Sequence, residues 1–150
     1  QDCHMSSSGL LGTGYVDHTM DLPVTQGITV AVDITSLDVQ RNQEVTFSLT
    51  LYNTGVGHAW PSSSPFVAKG LSVTIHSDSS KDLIRPIYIP LGVNPEPEES
   101  TDPILPQEHL TVQERFVVTS RHKPQMALMQ VKYHQGTNSE TIYTMPLRIR

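Results

Sequence analysis

The chain has 150 residues, one cysteine and a formal net charge of −5, which fits a single domain that buries about 70% of its unfolded surface. One cysteine excludes an internal disulfide, so Cys3 is free, paired with another chain or covalently modified. The ten lysines and arginines form no basic stripe, and no apolar run is long enough to cross a bilayer. We therefore expect neither a nucleic-acid partner nor a membrane-spanning segment.

Residues 1–26 differ from the rest of the chain. They are rich in serine, glycine and threonine and have no sustained hydrophobic period, so we interpret them as an irregular arm. The start at Gln1, without a methionine, indicates an N-terminus that has been trimmed. From Gly27 onward, short runs of β-branched and aromatic residues alternate with turn residues, and no stretch has a helical period. The predicted organisation is an arm over 1–26 and a β-sandwich domain over 27–150.

The second region predicts about seven strands in chain order: 28–35, 44–53, 70–76, 83–90, 108–118, 126–134 and 140–149. Apolar and polar side chains alternate in the second and the last of these, which is the pattern of a strand with one buried face. Proline donates no hydrogen bond to a sheet ladder. Pro86 and Pro90 therefore mark the fourth strand as an edge strand or the border of one.

The segment 91–107 holds four prolines and four acidic residues, a density that excludes a strand or a helix. We expect a long solvated loop that crosses from one sheet to the other. Seven strands with one long crossover are typical of a two-sheet sandwich of immunoglobulin-like or fibronectin-like architecture. The predicted fold class is therefore all-β.

Cys3-His4 is the first segment that could carry chemistry. It is the closing half of the haem-attachment signature C-x-x-C-H, in which thiols add to the porphyrin vinyl groups and the adjacent imidazole ligates the iron. The first cysteine of the signature is absent. Either the sequence is a piece of a longer chain, or a single thioether holds the haem, or there is no haem.

His18 follows fourteen residues after His4. A haem iron with an imidazole on one side takes a second strong-field ligand, which a histidine or methionine in the same arm can supply. His18 is the favoured candidate, and Met20 or Met5 could take its place. The competing interpretation is an exposed loop histidine.

His58 is the third candidate and follows Gly55 and Gly57 at the end of a predicted strand. Glycines allow positive φ and close backbone approach, so this loop can present an imidazole at a fixed angle. Trp60 and Pro61 then offer an apolar wall for a porphyrin face. An equally supported alternative is a glycine-rich turn whose tryptophan belongs to the core. The remaining histidines lack metal-ligand spacing and are expected on the surface or on strand faces: His76, His109, His122 and His134.

These segments together resemble the C-terminal part of multihaem c-type cytochromes of the cytochrome c-554-like group. The resemblance rests on C-H-M, then D-H-x-M, then N-x-G-x-G-H-x-x-P after a strand, then Leu-Pro-Gln-Glu ahead of the next strand. It runs from Cys3 to about Tyr133, and residues 53–61 are its most specific element. In such proteins a last haem segment leads into a β-sandwich. The chain departs from the pattern at the missing first cysteine and at Ser62-Ser63, where Thr-Gly is usual.

The resemblance implies electron transfer by a c-type cytochrome that carries haem c, with the sandwich shielding the haem or docking a partner. Cys3 resembles the second attachment cysteine and His4 the proximal iron ligand. His18 resembles a distal ligand, and His58 a ligating or haem-contacting residue. Whether the chain is an enzyme stays open, with a carrier or a non-catalytic part of an oxidoreductase favoured, since no nucleophile and base are arranged together.

The resemblance also implies a setting. The expected partners are an upstream haem domain or other cytochrome subunits, and a redox partner protein. Because c-type attachment takes place outside the cytoplasm, the expected location is the periplasm or the cell surface. Two alternatives remain open: a structural or adhesive β-sandwich without a cofactor, and an extracytoplasmic copper protein that uses soft ligands from the arm. A Soret band, a blue colour or no colour would distinguish the three.

Overall fold

The computed structural model describes residues 27–61, 66–77 and 79–150, apart from the side chain of Glu99. In these ranges the regular secondary structure is β-strand, apart from one short 3-10 turn at Pro97–Glu99. The eight strands are β1 Ile28–Ile34, β2 Asp38–Val39, β3 Glu44–Asn53, β4 Lys69–Ser77, β5 Ile87–Pro90, β6 His109–Val117, β7 Gln125–Gln135 and β8 Asn138–Ile149. The predicted all-β fold is confirmed.

The strands form two open sheets. The first has three strands in the order β1-β3-β6, all antiparallel. The second has five strands in the order β2-β8-β7-β4-β5, in which only the β2–β8 pair is parallel. The inner faces of both sheets contribute to one apolar core, whose fully buried side chains include Phe47, Leu49, Leu51, Leu71, Ile75, Met129 and Leu147. Burial of this core is the main favourable term for the fold.

The predicted strand 44–53 coincides with β3, because alternating side chains in β3 are buried against the core as the period-2 pattern requires. The predicted strand 83–90 was too long, since continuous pairing with β4 covers Ile87–Pro90 and the chain before it makes an isolated bridge between Asp82 and His76. Pro86, which lacks an N–H donor, precedes the paired segment, and β5 is an edge strand as the prolines indicated. The prediction missed β2, whose two residues are too few to show any period.

The segment 91–108 leads from β5 in the five-stranded sheet to β6 in the three-stranded sheet, so the predicted crossing is confirmed. The expectation of a solvated loop holds for its described acidic side chains but was wrong for three other residues. Leu91, Asn94 and Ile104 are buried and anchor the loop to the core between its exposed acidic residues.

One end of the sandwich holds the features relevant to function. Strands β1, β4 and β6 begin at this end, and β3, β5 and β7 end there. It therefore carries Gly27, the loops 54–68 and 91–108 and the turn 136–137. We call it the arm end, because residues 1–26 join the sandwich at Gly27. In the described part of the chain no helix has the length and apolarity to span a membrane.

Candidate functional site

The five residues predicted to bind haem divide into two groups. Cys3, His4 and His18 lie outside the residues that the structure describes. His58 and Trp60 both lie in the loop 54–68, at the arm end. The described part of the candidate site therefore lies in the loop 54–68.

Close packing of two glycines sets the beginning of the loop. The Gly27 carbonyl accepts hydrogen bonds from the N–H groups of Thr54 and Gly55, at 3.0 and 2.9 Å. Gly27 has a φ of +87°, and a Cβ on it would lie 2.7 Å from the Gly55 carbonyl carbon. Only glycine tolerates that conformation and that approach at low cost. The point at which the arm joins the sandwich is thus fixed beside the loop.

Of the two properties predicted for Gly55 and Gly57, the structure has close backbone approach at Gly55 and positive φ at neither. Positive φ was expected at Gly55 and Gly57, but among the described glycines it occurs at Gly27, Gly92 and Gly136. Gly55 serves the close approach, since a Cβ there would lie 2.9 Å from the Gly27 Cα. A Cβ on Gly57 would meet nothing within 4 Å.

A buried amide links the two long loops of the arm end. The side chain of Asn53, which is 0% exposed, donates from Nδ2 to the carbonyls of His58 and Ile104, at 2.9 and 3.1 Å. Its Oδ1 accepts from the Val56 N–H at 3.2 Å. Trp60 and Ile104 add a pair of main-chain hydrogen bonds of 2.8 and 2.7 Å. The backbone that carries His58 is therefore tied to both the three-stranded sheet and the loop 91–108.

His58 is exposed, and one nitrogen of its ring is anchored. Its Nδ1 lies 2.9 Å from the carbonyl oxygen of Ala59. Because a carbonyl can only accept, Nδ1 carries the proton, and Nε2 is the basic nitrogen of the neutral ring. Metal-bound histidines usually donate the N–H of their other ring nitrogen to a carbonyl or carboxylate in this way. The loop thus holds His58 in the tautomer that suits ligation through Nε2.

Trp60 lies in the core rather than on the surface. Its side chain is 2% exposed, and its ring centroid is 5.0 Å from that of Tyr133 in β7. Burial of the same region raises the pKa of Tyr133. The alternative in which this tryptophan belongs to the core is confirmed, and its contact with a porphyrin stays a prediction.

Among the described residues of the arm end, Phe66 is the most exposed large apolar side chain, at 87%. The sequence analysis did not select it. Val93 and Leu105, in the loop 91–108, are about half exposed. The run Ser62 to Pro65 ahead of Phe66 is typical of a loop. That signal could have identified Phe66 as an aromatic residue on a loop, outside the core.

A second buried amide supports the same end. Oδ1 of Asn94 accepts from the Lys69 N–H at 2.6 Å. The Asn94 amide nitrogen donates to the carbonyls of Leu91 and Gly92, at 3.0 and 3.2 Å. Burial lowers the pKa of the Lys69 ammonium, which lies inside the sandwich at the start of β4. No sequence motif marked Asn94 or Lys69, because their burial depends on how the loop folds back.

Three of the remaining histidines lie on outward strand faces, as expected. Nε2 of His76 is 2.7 Å from the Thr74 hydroxyl, while its Nδ1 lies 2.8 Å from an Asp82 carboxylate oxygen. His134 contacts the Ser72 hydroxyl at 2.6 Å. His109 is exposed and packs on a tyrosine ring of the neighbouring strand.

His122 was also expected on the surface or on a strand face, and this prediction was wrong. It is buried in the connection between β6 and β7, where its Nε2 accepts from Arg121 Nε at 3.3 Å. Within the described ranges, no three or more histidine, cysteine, aspartate and glutamate side chains are grouped so that they could hold a metal ion.

No family model and no curated protein matches the sequence. Solved structures do match. A penta-heme cytochrome c552 from Thermochromatium tepidum aligns with a TM-score of 0.54 and 15% identity over 98% of this chain and 46% of that chain. The alkylpurine DNA glycosylase AlkC of Pseudomonas fluorescens aligns with a TM-score of 0.52 and 11% identity, over 83% of this chain and 30% of that one. AvmM, which catalyses macrocyclization in alchivemycin A biosynthesis, aligns with a TM-score of 0.52 and 9% identity, over 82% and 88%.

These similarities establish a shared sandwich fold, and at such low identities they establish the fold alone. The names of the three proteins point to different activities, as expected when one architecture serves many functions. The chain spans less than half the length of the cytochrome and about a third of the glycosylase.

Proposed function

We propose that this chain is the sandwich-bearing part of a c-type cytochrome that transfers electrons outside the cytoplasm, with a haem c held at the arm end. The observation that carries the proposal is the position of His58. Its imidazole is exposed, its Nδ1–H is anchored on the Ala59 carbonyl, and it lies at the end of the sandwich where the arm with Cys3 and His4 joins at Gly27.

In this proposal the chain supplies the second of the two cysteines of the haem c attachment signature and the adjacent imidazole. Cys3 supplies a thiol that can form a thioether, and His4 supplies the adjacent imidazole that ligates the iron. His18 is proposed as a distal ligand to this or a neighbouring haem, and His58 as a ligand or haem contact through Nε2. When bound, the haem supplies a reversible one-electron couple. The sandwich then excludes water from one side of the group and holds the imidazole in place.

The structural comparison supports the proposal through its extent. The likeness to the penta-heme cytochrome covers 98% of this chain, against 83% and 82% for the other two proteins. In the same proposal the chain resides in the periplasm or at the cell surface, and its partners are an upstream haem domain or cytochrome subunits and a redox partner protein.

The test uses the native polypeptide that contains this sequence, produced in a bacterium with a c-type maturation system. We expect a Soret band, a haemochrome spectrum and the haem mass on the peptide that contains Cys3. His4→Ala should abolish the low-spin spectrum of that haem. Colourless protein with an unmodified Cys3 would overturn the proposal in favour of a structural module, and a blue protein would indicate copper.

His58 is tested separately. His58→Ala should shift the reduction potential or spin state of a haem and leave the circular dichroism of the sandwich unchanged, because the side chain is exposed. His76→Ala is the matched control, since His76 lies on the outward face of β4, away from the arm end. Equal spectra and potentials for the two variants would remove His58 from the haem site.

A further inference from the structure

We infer that copies of this chain associate head to tail, with the acidic loop 91–108 of one copy docked in an open groove on the next copy. The groove runs along β8 at the end of the sandwich opposite the arm end, and we call it the β8 groove. The inference does not depend on the haem. It goes beyond the proposed function because it names a second surface and the partner that fits it.

The β8 groove lies on the outward face of the five-stranded sheet. Its volume is about 580 Å³, and its lining includes Leu37, Asp38, Met126, Pro146 and Arg148. β8 forms the floor, since it lies between β2 and β7. The Leu37 carbonyl accepts a hydrogen bond from the Arg148 N–H at 2.9 Å, and Met126 is the cross-strand partner of Arg148. The register therefore places Leu37 and Met126 on either side of one arginine.

Apolar side chains on this face are left in water. Leu37 is 55% exposed, Met126 46% and Leu128, the cross-strand partner of Pro146, 37%. Fully burying a leucine or methionine side chain contributes about 1.5–3 kcal/mol, and neighbouring exposed apolar side chains mark surfaces that contact another molecule. The ring of Pro146 is shorter than the leucine and methionine side chains beside it, so the floor is low. The groove can therefore accept an apolar side chain from another molecule.

The charge around the groove is positive. The Asp38 carboxylate is the acidic group of its lining, and it is shared by Arg148 and Arg150, at 3.8 and 3.2 Å. One cation is therefore in excess. Residues 115–150 contain six lysines and arginines and one acidic residue, and the connection between β6 and β7 places two of these cations at the same end. Electrostatic complementarity favours an acidic occupant.

The loop 91–108 has the opposite charge. It contains five acidic residues and no lysine or arginine, and Glu96, Glu98, Asp102 and Glu108 are exposed. The ion pairs among the described residues involve none of these four carboxylates. They are therefore available to cations of another molecule.

One stretch of this loop also matches the apolar part of the groove. Leu105 is 49% exposed and lies three residues from Asp102 and three from Glu108. The backbone on both sides of Leu105 is held in place, since Ile104 exchanges two main-chain hydrogen bonds with Trp60 and the Gln107 N–H donates to the Asn53 carbonyl at 2.8 Å. A preorganised segment loses little conformational entropy on docking. The segment 102–108 thus offers an apolar side chain between two carboxylates.

The two surfaces lie at opposite ends of the same chain. β8 has 12 residues and extends about 40 Å from the arm end to the groove, so a chain cannot place its own anchored loop in its own groove. The contact is therefore head to tail between copies. The chain as a whole has a net charge of −5, which opposes association. The contact depends on local complementarity and should be sensitive to salt.

Sedimentation velocity of the native polypeptide over a concentration series tests the inference. In about 50 mM salt the weight-average sedimentation coefficient should rise with concentration, and in about 0.5 M salt this rise should be lost. Met126→Glu places a carboxylate in the groove and should weaken association by about tenfold or more. Gln113→Glu makes the same change of charge on the outward face of the three-stranded sheet and should associate like the parent. Circular dichroism checks that the variants are folded.

A mixture of two variants tests the head-to-tail geometry. Leu105→Ser removes the apolar side chain from the loop and leaves the groove intact, whereas Met126→Glu blocks the groove and leaves the loop intact. Each variant alone should associate weakly. Their equimolar mixture should form pairs that grow no further, because each pair uses the one intact groove and the one intact loop. A mixture that stays monomeric while the parent associates would mean that like surfaces meet, which overturns the inference.

Asp38→Asn gives a change in the other direction. It removes the acidic group from the lining of the groove and should tighten association several-fold in low salt. Unchanged or weaker association of this variant would contradict the role of charge. A parent polypeptide that stays monomeric in low salt would overturn the inference, as would association that Leu105→Ser and Met126→Glu leave unchanged. None of these results concerns the haem spectrum, so the proposed function would stand.

Discussion

The two ends of the sandwich are held together by different chemistry. At the arm end, the buried amides of Asn53 and Asn94 bond to main-chain groups of long loops. At the opposite end, Arg41 reaches the main-chain carbonyls of Arg150 and His122, at 2.8 and 3.0 Å, and exposed ion pairs lie nearby.

The difference shows how a small sandwich can carry a fixed site on loops. A buried amide is neutral and directional, so it holds two loops in one arrangement without placing a charge in the core. At the arm end this leaves the His58 ring exposed while the backbone that carries it is bonded to the buried Asn53 side chain. At the opposite end the connections are shorter, and charged side chains at the surface are sufficient to join them.

The largest expected effect concerns the core beneath the arm end. Trp60→Ala should lower the free energy of unfolding by about 3–5 kcal/mol, the usual cost of truncating a buried large aromatic side chain. Phe116→Ala is the control at the opposite end, where that ring packs 6.1 Å from Phe47. Urea denaturation followed by circular dichroism measures both. A loss below about 1 kcal/mol for Trp60→Ala would place this tryptophan outside the core.

The next effect compares the two ways of joining loops. Asn53→Ala removes three hydrogen bonds, including the one that its Oδ1 accepts from the Val56 N–H, so we expect a loss of about 1–3 kcal/mol. Asn42→Gly is the counterpart at the opposite end. There the residue is exposed, has a φ of 63° and accepts from the Ser120 N–H at 2.8 Å. Glycine keeps that conformation, so the loss should be about 0.5–1 kcal/mol. Equal losses would remove the distinction between the two ends.

The junction of the arm gives the third prediction. Gly27→Ala places a Cβ 2.7 Å from the Gly55 carbonyl carbon at positive φ and should cost about 1–3 kcal/mol. Gly57→Ala meets no neighbour within 4 Å, so it should leave stability unchanged or raise it by up to about 1 kcal/mol. Thermal unfolding of both variants tests the pair. A stable Gly27→Ala would show that the glycine contact does not fix the junction.

The sequence predicts those parts of the fold that leave a local signal in it. Period-2 alternation located β3 to the residue because every second side chain enters the core. Pro86 and Pro90 predicted an edge strand because a missing N–H acts locally. The two residues of β2 carry no such signal, and their pairing with β8 depends on a contact more than a hundred residues away. Burial of Leu91 and Ile104 was hidden by the acidic and proline residues around them.

The sequence predicted the type of side chain at the candidate site but not the contacts that hold it. The motif around His58 indicates an imidazole on a loop, and the structure adds the Ala59 carbonyl that fixes its tautomer. The role of Asn53 as a link depends on Ile104, which lies 51 residues further along the chain.

Acid should weaken the fold through a histidine at the opposite end. Burial, and then the charges of Arg121 and Lys81, lower the pKa of His122 below its ordinary value. The unfolded chain therefore binds this proton more readily, so stability is full above about pH 6.5 and is lost as the pH falls below it. Urea midpoints at about pH 7.5 and pH 5.5 should differ less in His122→Gln than in the parent chain.

Part of the pH slope should remain in that variant. Burial, and then the charge of Lys132, also lower the pKa of His134. Protonation of His134 on acidification should therefore lower the stability of the fold as well. The double variant His122→Gln, His134→Gln should have the smallest difference between the two pH values. A His122→Gln chain as acid-sensitive as the parent would assign the effect to other groups.

The smallest effect completes the comparison of the two ends. The Asp38 carboxylate lies 3.2 Å from Arg150 Nη2 and 3.8 Å from Arg148 Nε, and all three side chains are about half exposed. Exposed ion pairs contribute about 0–1 kcal/mol, because water and salt screen the charges and two long side chains lose freedom. Asp38→Asn should therefore cost less than Asn53→Ala, and its cost should shrink further in about 1 M salt. A loss above about 2 kcal/mol that is insensitive to salt would show that this pair is desolvated, and that charge holds the opposite end as firmly as buried amides hold the arm end.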